Sequence, residues 1–289
     1  MGNVLICVAL IIGMTPFLSF AINAHAQSLA SDRIDQTTAE RSDKNELLSK
    51  ARDYNKRLAT QGQSIIGDVV DPFNGKANAL VSSVTDDGYN SILDMSADGV
   101  MGTISIPSIS VRLPIYHGTG TTALNSGAGH VRGTSFPIGG SSTHAVIAAH
   151  RGLSNKLMFT RLDEMRTGDM FYVTVLGRTL AYQVISTRVV EPTQTDLLTI
   201  RKGKDLVTLM TCTPYGVNTQ RILVTGSRVP MTQSAVKSQQ SEVSDPLPVI
   251  VVAILAGLVV GALIGTVVRG RTRPKTNGGM HVSMRAGAR

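Results

Sequence analysis

Residues 205–229 read DLVTLMTCTPYGVNTQRILVTGSRV, two apolar runs of β type on either side of a turn-forming stretch. The runs are Leu206–Thr211 and Ile222–Val229, and the proline and glycine between them favour a loop. The pattern predicts two neighbouring antiparallel strands. Arg221, which opens the second strand, would then return close to Cys212, which follows the first.

Short β-type runs also precede this stretch. Met170–Leu176 and Thr179–Val190 predict a hairpin whose turn is Gly177-Arg178. The other predicted strands are Thr103–Ile106, Val111–Ile115 and Ala145–Ala149. Many short strands at fairly even spacing predict a mostly β domain, either a closed barrel or a sandwich.

The segment before the strands has a helical pattern. Apolar residues recur at helical spacing and predict a helix over residues 43–60, with Asp43 and Glu46 as an N-terminal capping pair. The apolar positions are Leu47, Leu48, Ala51, Tyr54 and Leu58. A loop-like stretch centred on Asp71-Pro72-Phe73 follows.

Both ends of the chain carry long apolar runs. Val4–Ala24, followed by an Ala-His-Ala sequence, predicts either a cleaved signal peptide or an uncleaved membrane anchor. Leu247–Val268 is uncharged and about long enough to cross a bilayer. Lys and Arg in the following tail mark its cytoplasmic side. We therefore expect a cell-membrane protein whose residues 27–246 are extracellular and whose residues 269–289 are cytoplasmic.

This topology explains the formal net charge of +8. Six of the 28 basic residues lie in the tail 269–289, which has no acidic residue, and the first 26 residues are uncharged. The exported part is thus nearly neutral, with 22 basic and 20 acidic residues. Nucleic acid is not expected as a partner, although a high isoelectric point alone would suggest one.

Cys212 has no disulfide partner in the exported part, because the other cysteine, Cys7, lies in the N-terminal apolar run. A buried structural thiol is one interpretation. The other is a nucleophile, which the position at a strand end before a Thr-Pro turn favours.

A thiol nucleophile needs an acid–base partner and a group that stabilises an oxyanion. Of the exported histidines, His150 follows an apolar strand, whereas His117 and His130 lie in glycine-rich loops and are weaker candidates; His144 is the fourth. The guanidinium of Arg221 would stabilise both an oxyanion and a thiolate, unless it is an ordinary surface arginine.

Three segments resemble the sortase family. They are TLMTC followed by TPYGVNTQR, the histidine segment HAVIAAHRG, and GTISIPSISVRLPIYHGT, and together they span about residues 100 to 230. The resemblance implies a closed eight-stranded β-barrel and transpeptidation at a sorting signal similar to Leu-Pro-x-Thr-Gly. Cys212 would attack the threonine carbonyl, His150 would protonate the leaving amine and Arg221 would stabilise the oxyanion. No metal or organic cofactor is implied.

Two features are similar to class C, the pilus-assembling sortases: the C-terminal apolar segment and the Asp71-Pro72-Phe73 motif. In that class an Asp-Pro-aromatic lid covers the site. The resemblance implies that Phe73 lies over Cys212 and that Asp71 pairs with Arg221. The expected partners are pilins bearing such sorting signals and a pilin lysine as acceptor.

Two alternatives stay open. A housekeeping sortase would use a peptidoglycan-precursor amine as acceptor, and a membrane-tethered β-barrel binding module would have no activity. The expected division of the chain is an N-terminal signal or anchor (1–26), a helix and lid region (27–99), a catalytic barrel (100–232), a linker (233–246), a transmembrane helix (247–268) and a basic tail (269–289).

Overall fold

The structure is a computed structural model that describes residues 2–63, 88–231 without 97, 154 and 155, and residues 256, 257, 260 and 261. The chain forms two compact units. One comprises Met1–Thr15 and Pro246–Arg289, and its described residues are helical. The other, Pro16–Asp245, contains the strands.

Within the described ranges, none of the helices combines the length and the apolarity needed to cross a bilayer. The apolar N-terminal run forms part of helix α1, Gly2–Ala39. Most of the predicted span 247–268 and all of the tail 269–289 lie outside the described residues. The predicted membrane segments therefore stay predictions.

Eight strands of the described residues close into a barrel in the order β1-β2-β3-β4-β7-β8-β6-β5, so the sandwich alternative is wrong. The strands are β1 Val100–Ile106, β2 Val111–His117, β3 Ala128–His130, β4 Thr143–Ala148, β5 Met170–Val175, β6 Arg178–Val190, β7 Asp205–Thr213 and β8 Gln220–Val229. All seven strands predicted individually are present. A short helix, α3 (Thr121–Ser126), separates β2 from β3.

The hairpin of β5 and β6 is confirmed, but its predicted turn is wrong by one residue. Val175 pairs with Arg178, which leaves Leu176 and Gly177 as the two turn residues. Their φ angles are 51° and 74°, the positive values that a tight type I′ turn requires at both positions. Arg178 belongs to the strand because it takes part in the ladder.

Helix α2, Lys44–Gln61, confirms the predicted helix, and its apolar face packs on the barrel core. Asn55 fixes its position: its amide donates to the Phe136 carbonyl at 3.0 Å, and its carbonyl accepts from the Phe136 backbone amide at 2.7 Å. Both polar groups of the buried amide are thereby satisfied.

The predicted capping pair at the start of α2 does not form. Asp43 precedes the helix, but its side chain makes no cap hydrogen bond. Both of its carboxylate oxygens instead accept from Arg41, at 2.8 and 2.6 Å. A bidentate, charge-assisted pair of this kind outcompetes a single bond to a backbone amide.

Helix α1 is attached to β1 and β2 through two carboxylates. Arg112 donates to Asp32 and to Asp35, each at 2.8 Å, and Thr103 donates to Asp35 at 2.8 Å. Burial raises the pKa of Asp35 to about 6, and it outweighs the opposing effects of Thr103 and Arg112. The part of α1 around Asp32 and Asp35 thus contacts the barrel through largely buried polar side chains.

Candidate active site

Cys212 is the second-to-last residue of β7. It is present as a thiol, and only 3% of its surface is exposed. In the antiparallel ladder with β8 it pairs directly with Arg221. The sequence prediction that Arg221 returns to Cys212 is therefore confirmed. Side chains opposite each other in such a pair have Cβ atoms about 4.5–5.5 Å apart.

His150 follows the end of β4, which pairs in parallel with β7, the strand that carries Cys212; Ala148 pairs with Met210 in this ladder. One residue further, the Ala149 amide donates to the Met210 carbonyl at 3.2 Å, and the Thr211 hydroxyl donates to the Ala149 carbonyl at 2.8 Å. Continued by one more residue, this register would bring His150 level with Cys212, although His150 itself lies outside β4. Neighbouring strands lie about 4.8 Å apart.

Alternation of side chains along the strands gives the three residues a common face. On β7, Leu209 belongs to the barrel core, whereas Met210 belongs to a second apolar cluster on the opposite face. Residues two apart share a face, so Cys212 lies on the face of Met210. The same argument assigns Arg221 to the face of Leu223, and His150 to that of Ala148.

This second cluster is the apolar support beneath the site. Its buried members are Val131, Val146, Ala148, Val190, Leu198, Met210 and Leu223. They lie on β4, β6, β7 and β8, after β3, and in the turn between β6 and β7. The three polar side chains therefore stand at the edge of a packed, water-poor surface, where electrostatic interactions are stronger than in bulk water.

Arg221 is held by its own loop. Its side chain is buried with 4% of the residue exposed, and Nη1 donates to the Asn218 carbonyl at 2.9 Å and to the Gln220 carbonyl at 3.0 Å. These bonds fix one end of the guanidinium. A planar group fixed in this way is oriented before any ligand arrives, which is what stabilisation of an oxyanion requires.

Burial lowers the pKa of His150. The imidazole is therefore predominantly neutral at pH 7, since its ordinary pKa of about 6.5 already lies below that pH. A neutral imidazole can accept a proton from a neighbouring thiol. The imidazolium formed in that transfer can later return the proton to a leaving group.

The other three histidines of residues 27–246, namely His117, His130 and His144, have structural environments. His117 lies with Nδ1 at 2.8 Å from the Gly99 carbonyl and Nε2 at 2.7 Å from the Ile92 carbonyl. His144 lies with Nδ1 at 2.9 Å from the Thr199 carbonyl and Nε2 at 2.7 Å from the Thr208 hydroxyl. Both imidazoles link backbone segments within the fold.

His130 is fully buried and stacks on Phe136, with ring centroids 5.3 Å apart. Its Nδ1 is 2.8 Å from the Tyr89 hydroxyl and its Nε2 is 2.8 Å from the Ser135 carbonyl. Burial lowers the pKa of His130 to about 3, against the opposing effect of the Ser135 bond. The ring is a neutral core residue in this fold.

The predicted lid residues Asp71, Pro72 and Phe73 lie outside the described residues. The contacts expected of them, Phe73 over Cys212 and Asp71 with Arg221, therefore stay predictions. Within the described part of the chain, no group of three or more His, Cys, Asp or Glu side chains is arranged to hold a metal ion.

Sequence reasoning did not single out Arg151, which directly follows His150. Its Nη1 donates to the hydroxyl of Thr213 at 2.8 Å, and its Nη2 donates to Asp163 at 2.6 Å. Thr213 directly follows Cys212. The only sequence signal was that Arg151 and Thr213 each follow a candidate catalytic residue. The contact between Arg151 and Thr213 depends on how β4 and β7 pair.

A closed β-barrel that carries a thiol, an imidazole and a guanidinium at three adjacent strand ends has the arrangement of a cysteine acyl-transfer enzyme.

The family model of the sortase domain matches residues 104–229 of this chain. Two crystal structures are similar to this chain over their whole length. Sortase C-1 from Actinomyces oris is 44% identical, with a TM-score of 0.58 over 66% of this chain and 100% of that one. Sortase C1 from Streptococcus agalactiae is 36% identical, with a TM-score of 0.62 over 73% of this chain and 100% of that one.

The chain belongs to the sortase family. A curated relative, sortase A of Streptococcus agalactiae, is 33% identical over 128 residues, which are 43% of this chain and 51% of that protein. The match thus spans about half the length of this relative. The similar solved structures named above are of sortases C.

Proposed function

We propose that this chain is a class C sortase that builds covalent pili. It would cleave a sorting signal similar to Leu-Pro-x-Thr-Gly in one pilin and join the threonine carbonyl to a lysine amine of the next. The observation that carries the proposal is the ladder pairing of Cys212 with Arg221, supported by the pairing of β7 with β4, the strand that precedes His150. Similarity to sortases C over their full length supports the pilus class.

In the first half-reaction, the Cys212 thiol passes its proton to His150, and the sulfur bonds to the threonine carbonyl carbon. The carbonyl electron pair moves to oxygen, and the Arg221 guanidinium stabilises the resulting charge. When this intermediate collapses, the carbon–nitrogen bond to the next residue breaks. The leaving nitrogen takes the proton from His150, and a thioester with Cys212 is left.

In the second half-reaction, the acceptor lysine amine attacks the thioester carbon and gives a proton to His150. Collapse of this intermediate breaks the carbon–sulfur bond, and the departing thiolate recovers the proton from His150. A new amide is formed and the enzyme is unchanged. Arg221 serves both half-reactions, since the negative charge develops on the same oxygen each time.

The proposal includes a location. Residues 27–246 would be extracellular, with the chain attached to the cell membrane of a Gram-positive bacterium and residues 269–289 in the cytoplasm. The support is the uncharged run 247–268 followed by basic residues, together with the apolar run near the N-terminus.

The test is transfer to defined acceptors. The full chain in detergent is incubated with a sorting-signal peptide and with either a pilin-derived lysine peptide or a peptidoglycan-precursor amine, and the products are identified by mass spectrometry. We expect an amide to the lysine peptide, and no product with Cys212→Ala. Transfer to the precursor amine alone would indicate a wall-anchoring sortase, the alternative that the sortase A relative favours.

The third alternative, a binding module without activity, is tested in the same preparation. A catalytic Cys212 reacts with iodoacetamide through its thiolate, whereas a buried structural thiol is inert. Absence of both alkylation and peptide cleavage would overturn the proposed function.

A further inference from the structure

The residues that follow the candidate nucleophile and the candidate acid are tied to each other. Arg151 follows His150, Thr213 follows Cys212, and Arg151 Nη1 donates to Thr213 Oγ1 at 2.8 Å. From this contact we infer that Arg151 is a positioning residue, which sets the distance between the His150 imidazole and the Cys212 thiol. The inference rests on the proposed function for its catalytic consequence.

The side chain of Arg151 bridges two structures. It is largely buried, with 10% of the side chain exposed, and its second terminal nitrogen donates to Asp163 at 2.6 Å. Asp163 lies in the 3-10 turn Leu162–Glu164 of the β4–β5 connection. One guanidinium thus joins that connection to the end of β7. The planar fork of arginine suits two acceptors at once, whereas a lysine ammonium is a point charge on a flexible stem.

An apolar contact beside it links the same two segments. The ring of Tyr215, in the β7–β8 loop, lies against the backbone of Gly152, the residue after Arg151. A Cβ at Gly152 would lie 2.7 Å from Tyr215 Cε2, and Gly152 has a φ of +81°. Only glycine adopts this backbone at this distance from the ring without strain. The close approach shows that the two loops are packed together immediately beyond the site.

These links act where the β4–β7 ladder ends. The ladder itself places Ala148 and Ala149, but His150 lies outside β4. Within its own connection, His150 is held by the Phe159 amide, which donates to the His150 carbonyl at 3.1 Å, and Gly152 by a bond of 3.1 Å from its amide to the Thr160 hydroxyl. Arg151 connects this locally ordered segment to the strand that carries Cys212.

Catalysis is sensitive to such positioning. A misplacement of about 1 Å far from the reacting atoms is able to cost about 100-fold in rate. We therefore expect Arg151→Lys to lower kcat for peptide cleavage about 10-fold, with KM changed little, because misalignment of the reacting groups slows the chemical step. Thr213→Val, which removes the acceptor and leaves the arginine, should lower kcat by a similar factor.

The experiment uses the full chain in detergent. It measures kcat and KM for a sorting-signal peptide, and separately the rate of Cys212 alkylation by iodoacetamide between pH 5 and 9. In both variants the alkylation profile should move to higher pH, toward the ordinary thiol pKa of about 8.5, because the neutral imidazole is no longer placed to accept the thiol proton. The effects of Arg151→Lys and Thr213→Val combined should be less than additive, since they remove one shared bond.

Arg161→Ala is the matched control. Arg161 forms an exposed bidentate pair with Glu164 at 2.8 and 2.7 Å in the same β4–β5 connection and also donates to the Ile109 carbonyl at 3.4 Å; none of these described bonds joins it to β7 or its loop. This variant should retain the wild-type profile and kcat. Thermal unfolding of each variant establishes that the fold is intact.

The outcomes separate the two proposals. Wild-type profiles in both Arg151→Lys and Thr213→Val would overturn the positioning role. A wild-type profile in Arg151→Lys together with a shifted one in Arg151→Gln would also overturn it, because the effect would then belong to the charge alone. If the wild-type chain cleaves no sorting-signal peptide, the proposed function fails, while the alkylation profiles still decide the role of Arg151.

Discussion

Cys212 and Arg221 are paired residues in the ladder of β7 and β8, and eight residues of loop and strand separate them in the sequence. Their spacing is set by the backbone hydrogen bonds of this ladder between two neighbouring strands of the barrel. The ladder continues for seven residue pairs from Leu206 to Cys212. The relation between thiol and guanidinium is therefore as rigid as the barrel wall, which suits a preorganised oxyanion site.

Arg221→Lys tests the need for the planar fork. Lysine keeps the positive charge, but it cannot donate to the Asn218 and Gln220 carbonyls and to an oxyanion from one oriented plane. We expect kcat/KM for a sorting-signal peptide to fall by about 100-fold, the lower end of the effect of losing an oxyanion donor. Steady-state kinetics measure it. Turnover within threefold of wild type would return Arg221 to a structural role.

The pH dependence of kcat/KM tests the state of His150. Because burial lowers its pKa, the neutral imidazole needed to accept the Cys212 proton persists below the ordinary histidine pKa of about 6.5. Activity should therefore be retained as pH falls to 6.5 and be lost only at lower pH. The apparent pKa of this acid limb belongs to the His150–Cys212 pair as a unit.

The measurement is kcat/KM between pH 4.5 and 9 in buffers of constant ionic strength. An acid limb with its midpoint above pH 6.5 would contradict a resting neutral His150. His150→Ala should remove most of the activity over the whole range, since general acid–base catalysis contributes roughly 100- to 10,000-fold.

The lid is tested by Asp71→Ala combined with Phe73→Ala. If Phe73 covers Cys212 and Asp71 pairs with Arg221, removing both contacts favours the open state by roughly 1–3 kcal/mol. Alkylation of Cys212 and cleavage of a soluble peptide should then be about fivefold to a hundredfold faster. Iodoacetamide kinetics measure the first effect and peptide hydrolysis the second. If the double variant is alkylated no faster than wild type, Asp71-Pro72-Phe73 is an ordinary turn.

His130 should make stability depend on pH. Its pKa is about 3 in the folded chain and about 6.5 when unfolded, so the unfolded state binds the proton first as pH falls. The contribution of His130 to the free energy of unfolding is fully present above pH 6.5 and is lost as pH falls toward 3. The free energy of unfolding then changes by up to about 1.4 kcal/mol per pH unit.

His130→Gln removes this titration while keeping a polar side chain next to Tyr89 and Ser135. The variant should be less stable at pH 7, because the stack on Phe136 is lost, but its melting temperature should fall less steeply between pH 6.5 and 4. Thermal unfolding at each pH measures this. Parallel curves for wild type and variant would contradict a neutral, buried His130 in the native state.

The local elements were largely predictable, because each is encoded by a contiguous pattern. The period-2 and helical patterns predicted seven strands and helix α2, with boundaries within three residues. Strand β3 had no such pattern: Ala128–His130 is a strand only because β2 and β4 pair with it on its two sides. The Asp43 cap failed for a related reason, since Arg41, two residues earlier, competes for the same carboxylate.

The sequence by itself determined the chemical groups of the site and the return of Arg221 to Cys212, because a short loop between two strands permits little else. It did not determine that β4, which leads to His150, lies beside the strand of the thiol. The two strands are far apart in the chain and pair in parallel in a register that the barrel core and the apolar cluster beneath the site specify. The Arg151–Thr213 contact, between residues 62 positions apart, depends on the same register. A one-residue slip would turn every side chain of β4 to the other face, so packing of the whole barrel decides which residues meet at the thiol.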